Sequence, residues 1–116
     1  MSSSLRNERV RKELMREISD ILRTEVRGLV GVVSITDIEV SHDNSFAKVF
    51  YSVFGSDEQK EKSINIINQS VSKIRFEVGK RIRLRLTPEL RFIQDNSIER
   101  GSRVNEILEK ISRGEV

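Results

Sequence analysis

The stretch Lys73-Ile-Arg-Phe-Glu-Val-Gly-Lys-Arg-Ile-Arg-Leu-Arg-Leu-Thr-Pro-Glu-Leu-Arg91 decides how this chain folds. Its middle, Arg81-Ile-Arg-Leu-Arg-Leu86, alternates like a strand, yet Ile74, Val78, Ile82 and Leu86 recur at helical spacing. Residue pattern alone leaves both readings open there. Thr87 must be extended because it precedes Pro88, and Leu90-Arg-Phe-Ile-Gln94 reads as a short strand. The same stretch holds Lys73, Arg75, Lys80, Arg81, Arg83, Arg85 and Arg91 against only Glu77 and Glu89, a local charge of +5 in a chain of net charge +3. The basicity is therefore concentrated. With so few neighbouring acids, these cations point to a polyanionic partner more than to a merely solvated face.

Working outward, Ile64, Ile67, Val71, Ile74 and Val78 predict a helical stripe that runs into the basic stretch. Before it, Val32–Val40 and Ser45–Phe54 are rich in β-branched and aromatic residues, and the connector Ser41-His-Asp-Asn44 has turn chemistry. Together they predict an antiparallel hairpin. From Arg6 to about Arg27, the residues Val10, Leu14, Ile18, Ile21, Leu22 and Val26 form one helical stripe, with Gly28 and Gly31 as the expected stop. At the other end, Asn96 and Glu99 make a capping-box-like pair ahead of Val104, Ile107, Leu108 and Ile111, which predicts a last helix. Residues 1–4 and 113–116 are expected to be flexible ends. The predicted order is helix, strand, strand, long or double helix, strand, helix.

With 116 residues, 36% hydrophobic and 34% charged, the chain fits one small domain with a thin core. It has no cysteine, hence no disulfide, thiolate nucleophile or Cys-ligated metal. Neither a secretory leader nor an apolar run of membrane-spanning length is evident, so a cytoplasmic location is expected. The single histidine, His42, sits in a polar turn without a serine–acid arrangement. No metal-ligand spacing, Walker-type loop or GxGxxG fingerprint occurs. No enzyme activity, cofactor or metal is expected.

Four segments in order resemble the ribosome-binding factor A family. They are Arg9-Val10 with Glu17-Ile-Ser-Asp-Ile-Leu22; Val40-Ser-His-Asp-Asn-Ser-Phe-Ala-Lys-Val-Phe-Tyr-Ser-Val53; Ile74-Arg75 with Gly79-Lys-Arg-Ile-Arg-Leu-Arg85 and Pro88-Glu-Leu-Arg-Phe92; and Asp95-Asn-Ser-Ile-Glu-Arg-Gly-Ser-Arg103. The resemblance covers roughly residues 5–112 as a single RNA-binding domain. It implies an α+β, type II KH-like fold: a three-stranded sheet backed by helices, a helix–kink–helix pair and a C-terminal helix. It also implies that Lys73 to about Arg83 is helical. The family's Ala-x-Gly kink aligns with Ser70-Val71-Ser72, which departs at both ends. Its Asp-Pro-Arg loop is replaced by Arg27-Gly-Leu-Val-Gly31.

On this resemblance, Lys73, Arg75, Lys80, Arg81, Arg83, Arg85 and Arg91 are expected to meet phosphates of 16S rRNA in the free 30S subunit. The alternative for some of them is internal pairing with Glu77 or Glu89. Phe76 and Phe92 are expected in the core, with base stacking as the alternative. The expected role is a non-enzymatic assembly factor, monomeric, that assists late maturation and 16S processing, most visibly in the cold. A ribosome-silencing factor and a generic KH-like RNA-binding module are the other two readings. No membrane or small-molecule substrate is implied.

Overall fold

A computed structural model describes residues 2–84 and 86–95, with side chains from Glu8 onward. The element order is α1 (Ser2–Thr24), β1 (Val32–Val40), β2 (Phe46–Phe54), α2 (Asp57–Gln69), α3 (Val71–Arg81) and β3 (Glu89–Gln94). The expected C-terminal helix and the Arg85 side chain lie outside the described residues. The ambiguous stretch resolves as a helix that stops at Arg81, two residues short of the expected Arg83. Ile82 there takes an extended conformation.

The sheet has the order β1-β2-β3. β1 and β2 form the expected antiparallel hairpin, with Val33 opposite Val53 and Val40 opposite Ala47. β3 runs parallel to β2, pairing Ala47 with Leu90 and Val49 with Phe92, so the α2–α3 pair is the crossover that parallel strands require. β1 holds one irregularity. Val33 and Ile35 have odd numbers and Ile38 and Val40 even ones, and a bulge at Thr36 lets both pairs share one face.

Val10, Leu14, Ile18, Ile21 and Leu22 of α1 and Val26 just after it are buried, together with Ile67, Ile74, Val78 and Ile82 from the α2–α3 segment and Ile38, Ala47, Val49, Tyr51, Val53 and Leu90 from the sheet. Phe92 packs against this core, edge-on to Tyr51 with ring centroids 6.2 Å apart. Burial outweighs propensity here. Gly79 costs α3 about 1 kcal/mol relative to alanine, whereas burying Ile74 and Val78 contributes roughly 2 kcal/mol each.

α1 ends at Thr24, earlier than the glycines suggest. The Thr24 hydroxyl donates to the Asp20 carbonyl at 2.8 Å, and the chain then crosses to β1 through Gly28 (φ 89°) and Gly31 (φ 74°). Ser63 of α2, fully buried, fastens this crossing. Its Oγ donates to the Val30 carbonyl at 2.6 Å and accepts from the Val30 amide at 2.9 Å.

The hairpin turn is held by one carboxylate. Asp43 Oδ1 accepts from the Ser45 hydroxyl at 2.7 Å, the Ser45 amide at 3.1 Å and the Ser41 hydroxyl at 2.9 Å. Led by the Ser45 bonds, these donors pull its pKa down to about 2. Because the folded value is depressed, the turn's contribution is complete above the unfolded value near 4 and disappears as the pH falls through about 2. An NMR titration should show the Asp43 carboxyl titrating at about 2, well below its ordinary value of about 4. The thermal stability of Asp43→Asn should vary less than that of the parent between pH 4 and 2.

Candidate nucleic-acid interface

α2 and α3 are two helices with one break. The break falls at Ser70 alone (φ −104°, ψ 4°), and Val71 already begins α3. The Ser70 hydroxyl donates to the Ile66 carbonyl four residues back at 2.6 Å, a bond that bends helices. Its amide reaches only three residues back, to the Ile67 carbonyl. Ser72 is the last of the three positions aligned with the family's kink. It is exposed, because the helical period of α3 puts it on the side away from Ile74 and Val78.

The break sets the outward face of α3. Lys73, Phe76 and Lys80 lie three and four residues apart, on one side of the helix. Ile74 and Val78 point the other way, into the core. Phe76 is 65% exposed, contrary to the expected burial. At 100° per residue it falls opposite a stripe that passes through Ile74 and Val78. Lys80 Nζ lies 5.1 Å from the Phe76 ring centroid and 3.3 Å from Glu77 Oε1. Lys73 and Arg83 are exposed, and their side chains have no hydrogen bond or ion pair to another described residue.

The other cations of the basic stretch have different positions. Arg75 donates from Nε to the Pro88 carbonyl at 3.1 Å and from Nη2 to the Thr87 carbonyl at 2.9 Å. This fork, which lysine cannot reproduce, clamps the segment leading into β3. Arg81 turns onto α1. Its Nη1 lies 2.6 Å from Asp20 Oδ2 and 3.4 Å from Glu17 Oε2, and its Nη2 lies 3.7 Å from Glu25 Oε1. Arg81 and Arg23 together hold the Asp20 carboxyl below the usual carboxylate range. Internal pairing thus occurs, but Arg81 finds α1 acids instead of the expected Glu77 or Glu89. Arg91 sits on the far face of the sheet, its guanidinium 5.5 Å from the Phe46 ring centroid.

The structure therefore brings Lys73 and Lys80 to one side of α3, leaves Arg83 exposed just beyond the helix, and assigns Arg75 and Arg81 to internal contacts. It also reveals a shallow groove, lined by Ser72, Arg75, Phe76, Gly79, Lys80, Leu86 and Thr87. Sequence reasoning missed Leu86 as part of it. Leu86 is 63% exposed, because the helix stops before its spacing can bring it inward. Among the described residues no group of three or more His, Asp or Glu side chains is placed to hold a metal, and no helix is long and apolar enough to cross a membrane.

The chain and its fold have known counterparts. A ribosome-binding factor A of Clostridium kluyveri is 41% identical over 115 residues, which cover 97% of this chain and 95% of that protein. A Thermotoga maritima protein solved by NMR in solution superposes with a TM-score of 0.65 at 26% identity, covering 78% of this chain and 87% of that one. A Thermus thermophilus ribosome-binding factor A, fitted as a homology model into a cryo-EM map of a 30S complex, has the same fold, with a TM-score of 0.62 at 16% identity over 74% of this chain and 91% of that one. The family model for ribosome-binding factor A matches residues 6–108. Sequence match, KH-like helix pair and three-stranded sheet agree, and the chain belongs to the ribosome-binding factor A family.

Proposed function

We propose that this protein binds the free 30S ribosomal subunit through 16S rRNA and acts, without catalysis, as a cytoplasmic assembly factor in late maturation and 16S processing. The observation that carries this reading is the outward face of α3, where Lys73 and Lys80 stand on one side and the acid near them, Glu77, is already paired with Lys80, with Arg83 exposed just past the helix end. The Thermus relative fitted into a 30S complex supports the choice of partner. Exposed ammonium and guanidinium groups meet phosphates as point charges and forks. Arg85 belongs to the same proposal by its place in the sequence; Arg91, on the other face, would have to meet a second strand or none.

Such a protein acts by binding one rRNA conformation more tightly than its competitors. Stacking of roughly 1–2 kcal/mol per step holds misfolded RNA, and cooling slows escape from it, so the requirement should be greatest in the cold.

The test is sedimentation of the purified chain with ribosomal particles at several salt concentrations. It should travel with free small subunits, with an affinity that falls steeply as salt rises through counterion release. Preference for whole or paired ribosomes would point to a silencing factor, and a salt-independent affinity would end the phosphate model.

A further inference from the structure

Phe76 is an aromatic ring that the core does not use. A lone exposed apolar side chain is unremarkable, but here two of them, Phe76 and Leu86, line the same groove, at 65% and 63% exposure. The positions that shape the groove are small. Ser72 stands one turn before Phe76, and a Cβ on Gly79 would come within 3.0 Å of Thr87 Oγ1, so the glycine lets the segment after α3 lie close against the helix. Positive charge lies along the groove and beside it on α3. Lys80 holds its ammonium over the ring, and Lys73 lies one turn the other way with no partner among the described residues.

We infer that an unpaired RNA base stacks on the ring of Phe76, in the groove between α3 and the Leu86–Thr87 segment, while Lys73 and Lys80 take the phosphates on either side of it. This inference rests on the small-subunit reading above and adds the kind of RNA that the site accepts: a strand with a base turned out of its helix. An aromatic face offers a base the π-surface it loses on unstacking, whatever its identity. Lys80 would swing from above the ring toward a phosphate, exchanging its cation–π contact and its exposed ion pair with Glu77 for a charged hydrogen bond. A protein partner fits less well. Two apolar side chains make a patch far smaller than stable protein docking buries, and the rim has one sign of charge.

The chain has no tryptophan, so Phe76→Trp creates a single fluorescent reporter at the site. Full-length Phe76→Ala, →Leu, →Tyr and →Trp variants would be titrated with purified free small subunits at two salt concentrations. Circular dichroism melts would verify that all four fold as the parent does. Stacking predicts that alanine and leucine weaken binding roughly 5- to 100-fold, that tyrosine and tryptophan keep it, and that the log-log salt dependence stays unchanged because no charge is altered. Tryptophan emission should be quenched on binding. If Phe76→Leu binds as well as the parent, or the tryptophan is not quenched, stacking is wrong and the ring serves at most as an apolar contact. If the parent chain shows no salt-dependent binding to small subunits, the functional reading falls and this inference with it.

Discussion

Replacing Lys73, Lys80 and Arg83 together by glutamine should weaken small-subunit binding roughly a hundredfold at 0.15 M salt and flatten the log-log salt dependence by about 2–3 units. It should leave the melting temperature where it was. Each of the three side chains is exposed, and only Lys80 has a partner among the described residues, a surface ion pair of the kind that contributes little to stability. Arg81, the neighbour of Lys80, should behave in the opposite way. It faces Glu17 and Asp20 of α1 and Glu25 just past its end. Arg81→Gln would leave those three carboxylates facing one another and loosen the α1–α3 contact. The expected result is a melting temperature lower by roughly 5 °C with the salt dependence of binding intact. Sedimentation at several salt concentrations and a thermal melt separate the two outcomes. In cells, the triple variant should accumulate precursor 16S rRNA, most of all at low temperature. A triple variant that binds normally, or an Arg81 variant that loses salt dependence without losing stability, would reverse these assignments.

Gly31→Ala should destabilise the protein by about 3 kcal/mol or more. Two costs combine. Gly31 sits at φ 74°, where any L-residue is strained, and an added Cβ would lie 2.6 Å from the Phe54 carbonyl oxygen. A backbone oxygen at the end of β2 cannot step aside, so the strain must pass into the crossing that Ser63 holds at Val30. Gly28→Ala is the control. Its φ of 89° is equally unsuited to a side chain, but the nearest atom, Ile66 Cδ1 at 3.2 Å, ends a flexible chain. That variant should lose only about 1–2 kcal/mol. Urea unfolding of the two side by side gives the comparison, and a Gly28 variant less stable than the Gly31 variant would contradict it.

Much of this fold is legible in the residues. The α1 stripe and the strand composition of 32–40 and 46–54 foretell their elements, because burial period and β-branching act locally. The direction of β3 is not legible. A parallel partner is set by how the α2–α3 crossover packs, and no local pattern encodes that. The 81–86 ambiguity has a similar origin: the Arg81 guanidinium bonds to α1, sixty residues away in sequence, and the helix stops there. The site divides along the same line. A basic stretch can be counted, but only the fold tells Lys73, which faces outward, from Arg75, which clamps the approach to β3. Phe76 could have been placed. It stands two residues from both Ile74 and Val78, so the helical period puts it opposite the core; the expectation that aromatics fill a thin core hid that.

Thr36 has a consequence beyond its own strand. If it were absent, Val33, Ile35, Ile38 and Val40 would alternate regularly and still face the helices, so the core has no need of it. What the extra residue changes is the rim of the sheet. β1 is the first strand of the three, and an uninterrupted nine-residue rim would offer a second polypeptide an even row of amides and carbonyls to pair with. The bulge breaks that row midway, and Asp37 and Glu39 add charge along it. The Thr36 hydroxyl meanwhile donates to Asp95 at 2.8 Å, drawing the end of β3 across β2. The rim of β1 is thereby made a poorer template for pairing with a second copy of the chain.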